Sequence, residues 1–267
     1  MLEQVRNDQT ALELTLSQSL IQSTLVTAAV LVIGDEILSG RTKDKNIGAI
    51  AEHLSAIGID LVEVRIVADD EARIVEAVNA LRARTDYVFT TGGIGPTHDD
   101  ITADSIAKAF GVPIGVDERA VAVMRPAYEK RGLELTPPRL RMARIPAGAE
   151  IIANSVSFAP GFMIGNVIVM AGVPAIMQAM LEEITPRLRK GEKMLSMSIS
   201  LPRPEGEIAE LFAEHQKAFP QVAMGSYPAF RDGKYSTELV LRARNAALLQ
   251  RATDDLRAKL SDRKSVV

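Results

Sequence analysis

From Leu25 onward, short runs of β-branched and apolar residues alternate with segments that repeat their apolar positions every three or four residues. That alternation constrains the fold more than any other feature of the chain. "TAAVLVIG" (Thr27 to Gly34), "IDLVEVRIVA" (Ile59 to Ala68) and "DYVFTT" (Asp86 to Thr91) have the length and composition of strands. Between them, "DKNIGAIAEHLSAIG" (Asp44 to Gly58) sets Ile47, Ile50, Ala51, Leu54 and Ile57 on one helical face, with Gly58 as a C-cap. "DDEARIVEAVNALRAR" (Asp69 to Arg84) carries acids in its first turn and Arg in its last, and "TADSIAKAFG" (Thr102 to Gly111) closes on glycine. A strand–helix–strand succession means parallel strands joined by right-handed crossovers, so the expectation is an α/β fold of layers.

Further along, "DERAVAVMRPAYEKRG" predicts a helix kinked or broken at Pro126, followed by a polar connection through "LTPPRLRMARIPAGA". "GFMIGNVIVMAG" predicts two strands around a Gly165-Asn166 turn, and "VPAIMQAMLEEITPRLR" an amphipathic helix with Pro174 near its start. After the basic turn "RKGEK" the elements run strand, helix ("PEGEIAELFAEHQKAF", from Pro204), strand, strand, helix, a small α+β unit, with a boundary near Lys190 to Lys193. The expected organisation is an extension over residues 1–25 with poor order, a main domain over 26–190 and a small subdomain over 191–267.

Composition excludes several classes. The chain has 267 residues, 47% of them hydrophobic, enough for a core in one large domain or a large and a small one. With no cysteine there is no disulfide framework, thiolate metal site or Cys nucleophile. A formal net charge of −3, no long Lys/Arg run and no Trp argue against a nucleic-acid partner. The most apolar window, Leu25 to Gly34, is well short of the ~20 residues a membrane helix needs, and Glu3, Asp8 and Glu13 precede it instead of a basic n-region. The expectation is a cytoplasmic protein without a membrane partner.

Ligands of open parallel sheets bind where loops leave the carboxyl ends of strands. Two such loops stand out, "GDEILSGRTKDKN" (Gly34 to Asn46) and "GGIGPTHDD" (Gly92 to Asp100). Gly92, Gly93 and Gly95 lack the Cβ atoms that would bar close approach, Pro96 stiffens the turn, and a helix start follows whose free amides favour an anion. The string is neither G-x-G-x-x-G nor a P-loop, and such glycines also serve plain turn chemistry. Asp99, Asp100 or Thr102 could cap the next helix, but one cap needs one acceptor and a pair exceeds that need. A carboxylate pair beside an anion site can hold Mg²⁺ or another divalent cation against phosphate oxygens, or accept hydrogen bonds from a heterocycle or ribose. Asp35 and Glu36 after the first strand, and Asp69 and Asp70 after the second, are expected at the same sheet edge. His98 is either a base or metal ligand or a solvated loop residue. Arg41, Lys43 and Lys45 either neutralise phosphate or lie in an exposed loop, and the methionines of "MLSMSIS" and "MQAM" fill core.

At these loops, "IGDEILSG" with Asp44 and Asn46, then Val67 to Asp70, then "GGIGPTHDDIT", the chain resembles the MoaB/Mog molybdopterin-binding fold. Within it, the chain is most similar to the amino-terminal domain of CinA-type competence/damage-inducible proteins. "RMARIPAGAEIIANSVSFAPGF" and "AGVPAIMQAM" continue the likeness. The resemblance implies a three-layer α/β/α fold with a mostly parallel sheet, followed by a small α+β subdomain, and self-association into a homo-oligomer. It implies that the glycine loop, with Gly34, Asp35, Glu36, Thr97 and His98 around it, holds the phosphate of a molybdopterin or nucleotide ligand. Asp100 and Asp69 match acids implicated in adenylyl transfer, and Asp99 joins them as a candidate catalytic and metal-holding residue. In the CinA branch the similar domain is linked to divalent-metal-dependent cleavage of ADP-ribose-like pyrophosphates, and a related fused domain to FAD hydrolysis. The chain departs from the family pattern at Ser157, where glycine is usual, and at Ala171 and Ile176, where proline and an acid are usual. Three readings follow: a molybdopterin- or nucleotide-binding protein, a metal-dependent pyrophosphatase on ADP-ribose, FAD or a related dinucleotide, and a non-catalytic interaction module.

Overall fold

The computed structural model describes residues 25–231 and 233–262; the expected extension over residues 1–25 lies outside them apart from Leu25. The chain divides between Gly191 and Glu192 into two compact units.

In the first unit, β1 (Val26–Ile33) leads through a short helix α1 (Asp35–Leu38) into α2 (Asn46–Ala56). Then come β2 (Ile59–Val67), α3 (Glu71–Arg82), β3 (Tyr87–Thr91), α4 (Thr102–Phe110), β4 (Ile114–Val116) and α5 (Glu118–Lys130). A short α6 (Pro137–Leu140), β5 (Arg144–Pro146), β6 (Glu150–Ile152), β7 (Gly161–Ile164), β8 (Val167–Met170) and α7 (Pro174–Ile184) complete it. The six-stranded sheet has the order β2-β1-β3-β8-β7-β6. Its first four strands are parallel, while β7 and β6 run antiparallel to their inner neighbours.

Alternation along β1 makes the three layers. Ala29, Leu31 and Ile33 face Ile74, Val78 and Leu81 of α3, Ile106 of α4, and Val121 and Met124 of α5. Ala28, Val30 and Val32 face Ile50 and Leu54 of α2, with Met177, Met180, Leu181 and Ile184 of α7. Both faces of the strand are covered, which is why it reads as a continuous apolar run. Each fully buried aliphatic side chain contributes about 1.5–3 kcal/mol.

The second unit is β9 (Leu195–Leu201), α8 (Ala209–Ala218), β10 (Ala223–Arg231), β11 (Lys234–Ala243) and α9 (Ala246–Asp262), with sheet order β10-β11-β9. Leu239 and Leu241 of β11 pack with Leu249, Ala252 and Leu256 of α9 in a separate core.

Three expectations change. Helix α5 runs unbroken through Pro126, which sits on its exposed face. The connection after it contains α6, β5 and β6, each too short to show a period. The helix expected from Pro204 starts only at Ala209, after a 3₁₀ turn over Glu205–Glu207.

Candidate functional site

At the carboxyl ends of β1 and β3 a cavity of about 640 Å³ opens in the first unit. The glycine turn forms one wall, and its shape is set by backbone packing. A Cβ on Gly92, at φ 101°, would lie 2.1 Å from the Ile33 carbonyl oxygen, and one on Gly93, at φ 65°, 2.1 Å from Thr102 Oγ1. Only glycine meets both the positive φ and the contact. Gly92 N donates to Met170 O at 3.2 Å, tying the turn to the end of β8. The next three amides, of Gly93, Ile94 and Gly95, all in residues lining the cavity, donate to no acceptor among the described residues. Successive free amides in a turn are the groups from which anion-binding nests are built.

The opposite wall is the loop between α1 and α2 together with the start of α7. Glu36, Ile37, Lys43, Asp44, Lys45 and Asn46 line it, followed by Ala171 to Pro174 and Ile176. Asp44 Oδ1 accepts from the amides of Asn46 and Ile47 at 3.0 and 2.8 Å and so caps α2. Asn46 is buried and its Nδ2 donates to Gly172 O at 2.7 Å, joining the two parts of this wall. Lys43 and Lys45 have no ion-pair partner among the described residues, so their charge is available to a ligand. Val32, Ile37, Ile176 and Met180 supply an apolar stretch.

Asn154 builds the remaining side. Its Oδ1 accepts from the amides of Val156, Ser157 and Phe158, and its Nδ2 donates to Ala159 O at 2.6 Å. This brings Ser157 and Ala159 to the cavity and holds Phe158 at φ 67°, the sole positive φ of a non-glycine residue among those described.

The expected site residues separate into two groups. Gly92, Gly93, Gly95, Pro96, Glu36 and Asp100 line the cavity; Gly34, Asp35, Asp69, Thr97, His98 and Asp99 do not. Asp100 closes its own turn instead of capping a helix, accepting from Thr97 N at 2.8 Å and Thr97 Oγ1 at 2.5 Å through Oδ2. Helix α4 starts after Ile101 with no side-chain cap, so neither aspartate nor Thr102 caps it. Arg141 Nη2 reaches the Asp100 carbonyl at 3.3 Å from the far side. The single Thr97 hydroxyl proton goes to Asp100 in this geometry and none is left for Asp99. Asp99 is two-thirds exposed and the His98 side chain is fully exposed, 3.9 Å from it, so that histidine is a solvated loop residue.

Asp69 acts as a tether, its Oδ2 accepting from Asp35 N at 2.9 Å and linking the ends of β2 and β1. Burial, first of all, pushes its carboxyl up, and the charges of Asp35, Glu36 and Asp99 add to this against the pull of the Asp35 amide. Asp70 caps α3 through Arg73 N at 2.9 Å. The six acids expected at one crevice therefore have separate duties. Among the described residues no three acids or histidines stand close enough to hold a metal ion together, so Asp99 and Asp100 form no preassembled cation cage. A cation here would draw most of its ligands from a bound molecule and from water. No described helix is long and apolar enough to cross a membrane.

The walls that sequence reasoning missed are Asn46 and the Asn154 loop as structural parts. Both asparagines lie in the strings quoted above, but only the tertiary contact with Gly172, and the turn at Phe158, give them a task.

A family model described as a probable molybdopterin binding domain matches residues 29–190, and one described as the middle domain of FAD synthase matches residues 193–267. A protein of Aeropyrum pernix is 32% identical over 252 residues, 90% of this chain and 93% of that relative. A CinA-like protein of Desulfosudis oleivorans is 35% identical over 209 residues, 74% of this chain and 51% of the relative, so the chain spans about half that protein's length. Among solved structures, CinA of unknown function from Thermoplasma acidophilum is 36% identical with a TM-score of 0.56, covering 61% of this chain and 98% of that one. The chain therefore belongs to the molybdopterin-binding domain family of MoaB/Mog type, and CinA-like proteins are among its relatives.

Proposed function

We propose that the cavity binds a molecule that joins a phosphate group to a flat heterocycle, a molybdopterin or a nucleotide. The observation that carries this reading is the run of three free amides at Gly93, Ile94 and Gly95, facing a wall with the unpaired Lys43 and Lys45. The amides and lysines suit the phosphate, and the apolar stretch of Val32, Ile37, Ile176 and Met180 suits the ring. Calorimetric titration with AMP, FAD and a pterin phosphate tests it. Saturable binding that weakens about tenfold in Lys45→Ala, and is abolished by Gly95→Val, is the expected result. Binding indifferent to Gly95→Val would overturn it.

A second reading, hydrolysis of a dinucleotide pyrophosphate, has two observations in its favour. Asp100, beside Gly95, and Glu36 both line the cavity, and residues 193–267 resemble a part of FAD synthase. A water oxygen would bond to one phosphorus while the bridging P–O bond breaks, its electron pair leaving with the second phosphate; two monophosphates result. Asp100 Oδ1, the oxygen that Thr97 does not engage, would take the water's proton. A divalent cation, when bound, supplies charge neutralisation on the phosphates, and Asp100 and Glu36 are the carboxylates that would hold it. Incubation with FAD or ADP-ribose, with Mg²⁺ or with chelator, and with Asp100→Ala, separates the two readings. AMP release that survives the substitution sinks the role of Asp100, and binding without turnover leaves the first reading alone.

A further inference from the structure

Two residues that line the cavity, Asn46 and Thr91, each hold a buried side-chain oxygen with no hydrogen-bond partner among the described residues. Asn46 is 4% exposed and Thr91 1%. Buried polar atoms are rarely left so, and the scaffold gives no use for either. At the start of α2, Asp44 already holds the free amides of Asn46 and Ile47. The main chain of Thr91 pairs in register with β1 and β8 and asks nothing of its hydroxyl. Chemistry fixes the orientation of the Asn46 amide. The Gly172 carbonyl can only accept, so the atom 2.7 Å from it is Nδ2, and the atom left over is the oxygen. Asn46 Oδ1 therefore calls for a donor, whereas the Thr91 hydroxyl has a hydrogen to give. Tyr87 and Phe89 of β3 pack on the side of α2 and α7, so alternation sends Thr91 there too. That is the side of Val32, Ile176 and Met180, the apolar stretch that suits the ring.

We propose that the ring bound here presents an amidine edge, an amino group on a carbon next to an unsubstituted ring nitrogen. The amino group donates to Asn46 Oδ1, and the Thr91 hydroxyl donates to the ring nitrogen. This inference rests on the reading of the cavity as a site for a phosphate joined to a heterocycle, and it narrows the heterocycle. Adenine has such an edge, and so does a pterin. The flavin ring ends instead in an imide, with no amino group, so a molecule such as FAD would enter by its adenine end. Selection follows from the partner left behind: a ring without the amino group shuts Asn46 Oδ1 away from water and pairs it with nothing.

Calorimetric titration of the full chain with AMP, purine riboside 5′-monophosphate, a pterin phosphate and FMN tests this. Purine riboside monophosphate is AMP without its amino group, and FMN keeps a phosphate and a flat ring but no amidine. Whichever of AMP and the pterin phosphate binds more tightly names the ring; if it is the pterin, its 2-desamino analogue replaces the purine riboside. The aminated ligand should bind about tenfold or more tightly than its amino-free analogue or FMN. In Asn46→Ala that preference should fall to about one, whereas a merely loosened wall would weaken both ligands together. Thr91→Val should weaken the aminated ligand about fivefold without lowering the thermal melt, since the hydroxyl has no protein partner to lose. Equal affinity for the aminated ligand and its analogue, FMN bound as tightly, or a preference that survives Asn46→Ala would overturn the inference. Saturable binding that Gly95→Val still abolishes would in those cases leave the phosphate site standing. If none of the four ligands binds, the reading of the cavity falls and this inference with it.

Discussion

At the scale of single residues, the glycine turn is held to its shape by atoms of the scaffold. A methyl group at Gly93 would meet Thr102 Oγ1 and sit at a φ of 65°. Gly93→Ala is therefore expected to cost about 2–4 kcal/mol, from left-handed strain plus overpacking, in a denaturant titration. Because Thr102 Oγ1 is buried without a hydrogen-bond partner, adding Thr102→Ala should recover part of that loss. A double variant no more stable than the single one would show that the clash is not the cause. Asp69 gives a prediction in pH. Its folded carboxyl is raised above the ordinary value of 3.8, first by burial. A raised group favours the folded state below its unfolded pKa and loses that contribution as pH rises through the folded one. Asp69→Asn removes the titration while keeping an acceptor for the Asp35 amide. Its melting temperature relative to the parent should thus be higher at neutral pH, with the advantage gone below the ordinary carboxyl value. A difference that does not vary with pH would refute this. At this scale the sequence was legible where chemistry is carried by the main chain. Gly92 and Gly93 advertise their positive φ by being glycine, whereas nothing in the letters of Asp99 and Asp100 tells which one turns into the cavity. That is decided by the Thr97 hydrogen bonds to Asp100.

Among elements, what could be read in advance were the segments whose period extends over several turns or is buried on both sides. The β1 run and the stripe of Ile50 and Leu54 in α2 are of that kind. Elements of three or four residues, β4 to β6 and α6, exist because neighbours pair with them; β5, for instance, is defined by its register with β4, Val116 lying opposite Arg144. Pro126 was legible as an irregularity but not in its outcome. Burial of Ala120, Val121 and Met124 on one side of α5 keeps the helix continuous through the missing N–H. Pro126→Ala should therefore stabilise the protein by about 1–3 kcal/mol, since the exposed position gains a helix hydrogen bond and loses nothing in packing. A lower melting temperature for that variant would mean that proline is relieving some other strain.

For the whole molecule, the two cores share no residue: the clusters of the first unit end at Leu188 and that of the second begins at Met197. Every residue that lines the cavity belongs to the first unit. A chain stopped after Gly191 should then fold, melt cooperatively and keep the affinity of the full chain for the probe nucleotide; loss of binding in a folded fragment would contradict that assignment. The parallel pairing of β1 with β2 and β3 follows from alternation and crossover rules, the antiparallel hairpin of β7 and β8 was legible only in one Gly165-Asn166 pair, and nothing in the letters gave the order of the strands. The walls of the cavity also differ in how they can change over time. On the glycine side, the groups proposed to hold the ligand are peptide amides that nearly every residue possesses, and substitution there can only obstruct. Across the cavity, Ile37, Ile176 and Met180 offer contacts that any point mutation rewrites. On the proposed reading, substitutions in this chain could therefore alter which ring is accepted while leaving the amides that would hold the phosphate in place.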